Sequence, residues 1–259
     1  MAEPKRPMDG LERVLGRGPH RGLAPTPDAK RLAPGLKHRL SFRIVLKKTD
    51  LKSEMTEPFQ FKDSDVKIEK RETVFQGFFR MDKLWLTHRR FDGREMPTFT
   101  RELFIRGDST CVLPYDSDRD EVVLLEQFRL GALGRDQSPW LLELVAGMDE
   151  DGESPEEVAQ REGQEEAGLT FKPLDKICDY LASPGGSTEL IHLYCGRIST
   201  EAAGGLYGVE HENEDIRAHV FSADEAIAMV NDGRINNAAA IIALQWLQLN
   251  RPRLREGWS

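Results

Sequence analysis

The chain has 259 residues, 36 Lys+Arg against 44 Asp+Glu for a formal charge of −8, and 39% hydrophobic residues, enough to pack a core. The charge is uneven, because residues 1 to 57 hold 13 Lys+Arg against 7 Asp+Glu and leave the remainder at −14. A body of that sign repels nucleic-acid backbones and needs local arginines or metal to hold an anionic ligand; without a run of about 18 apolar residues or a secretory apolar stretch, no membrane partner is expected either.

Cys111, Cys178 and Cys195 are widely spaced and odd in number, which excludes a disulfide framework and a four-cysteine zinc site and fits a reducing cytoplasm. Residues 1 to 57 are rich in Pro, Gly, Lys and Arg and read as a disordered basic extension. Its acidic residues argue against a transit peptide, and Met55 is a candidate internal start.

From Val66 the composition turns aromatic and β-branched, predicting strands over Thr73 to Met81, Lys83 to His88, Thr98 to Ile105, Thr110 to Tyr115 and Glu121 to Leu130. Several strands before the first clear helix imply an antiparallel or mixed sheet and an α/β fold of the α+β or layered α/β/α type, excluding a Rossmann array. The turn Asp116-Ser117-Asp118-Arg119-Asp120 starts like a calcium loop, but Glu121 stands at the turn-making Gly position and Gln127 at the bidentate Glu position. It reads as a solvated hairpin turn.

Residues 147 to 169, GMDEDGESPEEVAQREGQEEAGL, predict a helix from Pro155 to Ala167. Ser154 caps it, Glu157 completes the capping box, and Gly168 is the left-handed stop. Glu162, Glu165 and Glu166, three and four apart, share one face without a relieving downstream cation. Clustered hard oxygen ligands select Mg²⁺, Mn²⁺ or Ca²⁺, and Mg²⁺, which takes one or two carboxylates and keeps waters and substrate phosphates for the rest, suits phosphoryl chemistry. The plain alternative is a solvated acidic helix face.

The spacing Gly147, five residues, Glu153, seven residues, Arg161-Glu162, then Glu165-Glu166, Gly168 and Leu169 resembles the Nudix box. Gly163 departs from it, standing where the family carries an apolar residue, which implies a weaker helix and a lost core contact. Leu181 to Gly186, with Pro184 sixteen residues after Gly168, together with Glu126 to Arg129, Trp140 to Gly147, Glu212 to Asp215 and Ala240 to Leu247, is similar to the bacterial ADP-ribose pyrophosphatases.

That resemblance implies a homodimer in which residues 58 to 108 form a β domain exchanged between protomers and residues 109 to 259 form a Nudix α/β/α sandwich, with ADP-ribose bound between subunits. It implies metal ligands at the Ala146 carbonyl, Glu162, Glu166 and Glu214, supported by Glu165, Arg161 and Glu153, and a general base at Glu212. It places Phe78 and Phe79 at the adenine, Arg101, Glu102, Arg106, Arg129 and Met148 around the diphosphate and nucleoside, and Ser183, Pro184, Gly185 and Glu189 from the partner subunit.

On the residues alone, Phe78 and Phe79 could equally be core, since neighbours in a strand face opposite ways. Arg129, in an apolar strand, calls for a phosphate or carboxylate partner. The resemblance implies that Arg161 orients a metal-binding Glu through Glu153, and on the residues alone it is a surface ion pair. Glu201 to Glu210, with three glycines, reads as a mobile loop delivering Glu212.

The implied reaction is attack of a metal-held water, deprotonated by Glu212, on one phosphorus of ADP-ribose, releasing AMP and ribose 5-phosphate. Another nucleotide sugar as substrate, or an ADP-ribose sensor without turnover, are the competing readings. Near the C-terminus, Ala223 to Val230 and a segment from Asn236 to Leu249 predict helices packed on the sheet. His192, His211 and His219 are scattered and read as satisfied or exposed residues.

Overall fold

The computed structural model describes residues 60–209 and 213–258. The basic extension, Met55 and the segment holding His211 and Glu212 lie outside the described residues. Two sheets are formed. The first has three antiparallel strands, β1 (Val66–Gln76), β2 (Arg80–His88) and β3 (Phe99–Ile105). Here the predicted strand from Thr73 to Met81 is corrected: Gly77-Phe78-Phe79 form the hairpin turn, with the Gly77 N–H donating to the Phe79 carbonyl at 2.9 Å. Two adjacent aromatics read as strand on propensity, but Gly77 breaks the run.

The second sheet contains β4 (Ser109–Asp116), β5 (Glu121–Phe128), β6 (Trp140–Glu143), β7 (Val145–Met148), β8 (Leu174–Leu181), β9 (Leu190–Arg197), β10 (Gly205–Tyr207) and β11 (Ile216–Ser222). Its main order is β10-β11-β5-β4-β9-β8, with β6 on β5 and β7 on β4. The β4–β9 pair is parallel, and the sheet is therefore mixed.

Alternation along the central strands builds two cores. Leu113, Tyr115, Val122 and Leu124 pack under α2 (Ala223–Asp232) and α3 (Ala238–Gly257), whereas Val112, Val123, Leu125 and Tyr194 pack under α1 (Pro155–Ala167). Helices on both faces of one sheet make the layered α/β/α fold that the sequence predicts. No helix among the described residues is long and apolar enough to cross a membrane.

The turn after β4 is solvated at Asp118 and Arg119 but anchored at its start. Asp116 and Ser117 are buried, and the Asp116 carboxylate accepts the Thr200 N–H at 2.8 Å, the Thr200 hydroxyl at 3.0 Å and the Arg119 N–H at 2.9 Å. Burial pushes its pKa up, but these donors and the Arg119 guanidinium outweigh that and hold it at about 2. Asp120, in the left-handed region at φ 63°, receives the Tyr115 hydroxyl and Arg251. Arg251 reaches it because α3 continues through Pro252 to Gly257, beyond the predicted end at Leu249.

Candidate active site

Helix α1 is bounded as its end signals require. The Ser154 hydroxyl accepts the Glu157 N–H at 3.3 Å, the Glu157 carboxylate accepts the Ser154 N–H at 2.8 Å, and Gly168 closes the helix at φ 64°. That frame presents Glu162 and Glu166 to β7. The Ala146 N–H donates to Glu166 Oε2 at 2.8 Å, and Glu162 lies so close to Gly147 that a Cβ there would sit 1.7 Å from Glu162 Oε1. Only glycine fits beneath that carboxylate.

Glu166 is 2% exposed. Burial pushes its pKa up to about 8, against the Ala146 N–H and with help from Glu162 and Glu214. Burial also raises Glu162, opposed by Arg161 and reinforced by Glu165 and Glu214. Three carboxylates therefore lie within electrostatic reach of one another. The Val209 N–H reaches the Glu214 carboxylate at 3.4 Å, and Gly208, at φ 109°, lies against the Glu214 main chain.

Arg161 spans the group. Its guanidinium contacts Glu153 at 3.0 Å, Glu162 at 2.6 Å and Glu165 at 3.4 Å, and donates to the Met148 carbonyl at 3.4 Å. The hydrogen bonds to Glu153 and then the Glu162 charge hold it firmly protonated. Arg129 is not in an apolar strand, since β5 ends at Phe128; it is 44% exposed and pairs with Glu143 at 2.6 Å. Sequence reasoning did not single out Glu143, whose only signal is one polar position in the apolar run of β6.

The other predicted residues form a second group. The Arg106 guanidinium lies 5.1 Å from the Phe79 ring and 3.2 Å from Glu189, and Phe79 packs edge-on against Phe104 at 5.1 Å. The loop carrying Ser183, Pro184 and Gly185 joins the same wall, as the Phe104 N–H donates to the Gly186 carbonyl at 2.8 Å. Within one chain, these bonds set Ser183 to Gly185 and Glu189 beside Arg106.

Phe78 is 85% exposed at the hairpin tip and packs edge-on against Phe79 at 4.7 Å. Arg101 and Glu102 are exposed neighbours on β3 and alternate in direction, with the Arg101 guanidinium over Phe99. Among the described residues, no hydrogen bond or ion pair joins Phe78, Phe79, Arg101 or Glu102 to the α1 carboxylates.

The segment read as a mobile loop is partly strand, since Gly205 to Tyr207 pair with Ile216 to Ala218 of β11. His192 bonds Asp179 at 2.8 Å and lies 3.6 Å from Asp149, and His219 meets Glu126 at 2.8 Å. Both are satisfied. A cleft of about 330 Å³ is lined by Glu126, Ser138, Trp140, Leu206, Asp215 and Arg217, and neither Glu162 nor Glu166 is among its lining residues.

Helices thus lie on both faces of a mixed sheet, and two glutamates of α1 are held against strand β7. Residues 105–244 match the NUDIX domain, and the chain belongs to the Nudix family of hydrolases. It is 47% identical over 202 residues to an ADP-ribose pyrophosphatase of Escherichia coli K12, covering 78% of this chain and 97% of that protein. It is 42% identical over 210 residues to an ADP-ribose pyrophosphatase of Haemophilus influenzae, covering 80% and 97%. A GDP-mannose pyrophosphatase of Pectobacterium atrosepticum is 37% identical over 150 residues, covering 56% and 75%. A solved structure described as an ADP compounds hydrolase aligns with a TM-score of 0.55 at 19% identity, covering 72% of this chain and 96% of that one, which shows the shared fold.

The donor set suits a divalent metal. Glu162, Glu166, Glu214 and the Ala146 carbonyl would supply hard oxygens, and a divalent cation would offset the burial and, after it, the Glu162 and Glu214 repulsion that raise Glu166. Among the described residues, no three His, Cys, Asp or Glu side chains close by themselves on a single ion.

Proposed function

We propose that this protein hydrolyses the pyrophosphate of ADP-ribose to AMP and ribose 5-phosphate, with Mg²⁺ or Mn²⁺ as cofactor. The observation that carries the reading is the seating of Glu162 and Glu166 against Gly147 and Ala146, in a chain 47% identical to a named ADP-ribose pyrophosphatase over nearly that protein's whole length. The ion would be held by the Ala146 carbonyl, Glu162, Glu166 and Glu214. Bound there, it would offset phosphate charge and acidify a water.

The chain's own residues do the rest. Arg161 and Glu153 fix the direction of Glu162, with Glu165 at the rim. Arg129 offers a guanidinium to a phosphate from beside Glu143, and Met148, the last residue of β7, is the further contact to the substrate. Arg106, Glu189 and the Ser183 to Gly185 loop, with Phe78 and Phe79, make the nucleoside wall, and Arg101 and Glu102 extend it. Glu212 takes the proton of the attacking water. Replacing Glu212 and Glu214 separately by Gln separates base from ligand: Glu212→Gln lowers kcat by two or more orders with metal affinity kept, in the range usual for general bases, and Glu214→Gln weakens metal binding. The reverse pattern would exchange the two roles.

The protein acts as a homodimer in this reading, with residues 58–108 exchanged and residues 109–259 as the Nudix domain, in the cytoplasm and without nucleic-acid or membrane partners. Support comes from β1, every residue of which is exposed, including Val66, Ile68, Val74 and Phe75. A monomer by light scattering at micromolar concentration would remove the dimer. The more distant likeness to GDP-mannose pyrophosphatases makes another nucleotide sugar the second reading. Side-by-side turnover of ADP-ribose, ADP-glucose, GDP-mannose and NADH, followed by chromatography, decides between them: ADP-ribose is cleaved fastest if the reading holds, and faster cleavage of another compound replaces it.

A further inference from the structure

Ala159, Gly163 and Ala167 line the face of α1 that meets the sheet, and all three are buried. Phe171, 3% exposed, fills the space this small-residue face leaves. A Cβ at Gly163 would lie 2.5 Å from Phe171 Cε2 and 2.9 Å from Cζ, and one at Gly196 on β9 would lie 2.5 Å from Phe171 Cδ1. The ring is thus seated between two glycines, one on the helix and one on the sheet. Its main chain is gripped as well: the Gln160 amide donates to the Phe171 carbonyl at 2.7 Å and accepts the Phe171 N–H at 3.0 Å.

This overturns the expectation that Gly163 costs a core contact. The contact is made from the other direction, by a ring that reaches the helix from the loop before β8. Gly163 directly follows Glu162 and precedes Glu166 by three residues, so whatever sets the height of α1 at this point sets how those carboxylates meet β7.

We propose that Phe171, locked by Gln160 and seated between Gly163 and Gly196, is a positioning residue that fixes the height of α1 over the sheet and thereby the placement of Glu162 and Glu166 for a divalent cation. The proposal rests on the metal-dependent reading above and adds residues to it that carry no ligand atom.

The test compares the full-length wild type with Phe171→Leu, Gly163→Ala, the double variant Gly163→Ala/Phe171→Leu, and Leu247→Ala as a control buried under α3 on the opposite face. Mn²⁺ affinity is read from the electron paramagnetic resonance of the free ion, and kcat and KM are measured with ADP-ribose well below each variant's melting temperature. Phe171→Leu and Gly163→Ala each weaken Mn²⁺ binding about tenfold or more, the range seen when groups supporting metal ligands are removed, and lower kcat with KM for ADP-ribose little changed. The double variant regains most of the affinity, because Leu lacks the ring atoms Cε2 and Cζ that a methyl at position 163 would strike. Leu247→Ala melts earlier but keeps wild-type Mn²⁺ affinity.

Wild-type affinity in folded Phe171→Leu, or loss in Leu247→Ala equal to that in Phe171→Leu, overturns the proposal and leaves the metal reading intact. A wild type that binds no Mn²⁺ overturns both. Should Gly163→Ala fail to fold, Phe171→Leu against Leu247→Ala still decides.

Discussion

A methyl group at position 147 would occupy the place of the Glu162 carboxylate, since its carbon would fall 1.7 Å from Oε1. Gly147→Ala therefore displaces a proposed ligand without altering its chemistry. The expected result is a 10- to 100-fold loss of metal affinity with the melting temperature close to wild type, read by calorimetric titration and by scanning calorimetry. Unchanged affinity would mean that Glu162 binds from elsewhere. Asp116 serves stability instead. Its folded pKa of about 2 lies below the ordinary 3.8, so it contributes fully above that ordinary value and the contribution is lost as pH falls through about 2. The buried donors around it put this at roughly 2 kcal/mol, so Asp116→Asn lowers stability at pH 7 by about that amount and the gap closes near pH 2. A constant gap across that range, measured by urea unfolding, would remove the electrostatic explanation.

At the scale of elements, α1 tests how local signals become architecture. Ser154→Ala removes one half of the capping box and costs about 1 kcal/mol, a drop of roughly 2–4 °C for a domain of this size. A shift below the error of scanning calorimetry would show that packing against β7 alone holds the first turn. The bounds of α1 were legible because its start and stop are chemical: Ser154, Pro155 and Glu157 at one end, Gly168 at the other. Strands were read less sharply. The Gly77 to Phe79 turn was hidden by its aromatics, β10 by its glycine-rich composition, and the last turns of α3 by Pro252. The partner of Gly163 could not be read at all, because Phe171 meets it through the tertiary fold, eight positions away and outside the helix. Likewise, Arg129 was expected to need an anion, but that Glu143 supplies one depends on the pairing of β5 with β6.

For the whole molecule, the sheet separates two tasks. Its α2 and α3 face is a continuous apolar core, while the α1 face carries the buried Glu166 beside its apolar residues. Burying a carboxylate there is unfavourable unless a cation or proton accompanies it, which fits the proposed metal site. The family-level pattern in residues 147 to 169 reached that conclusion from sequence, since ligands three and four apart on a capped helix are local features. The two-group division of the substrate residues was not legible there, for it depends on which loops β3 and β9 bring together. The most direct measurement is release of AMP from ADP-ribose by the wild type and by Glu162→Gln, with Mg²⁺ and with EDTA. The account predicts cleavage that needs Mg²⁺ and falls by at least two orders in Glu162→Gln, the scale on which lost charge stabilisation acts; equal cleavage by both proteins, or cleavage that persists in EDTA, would contradict it.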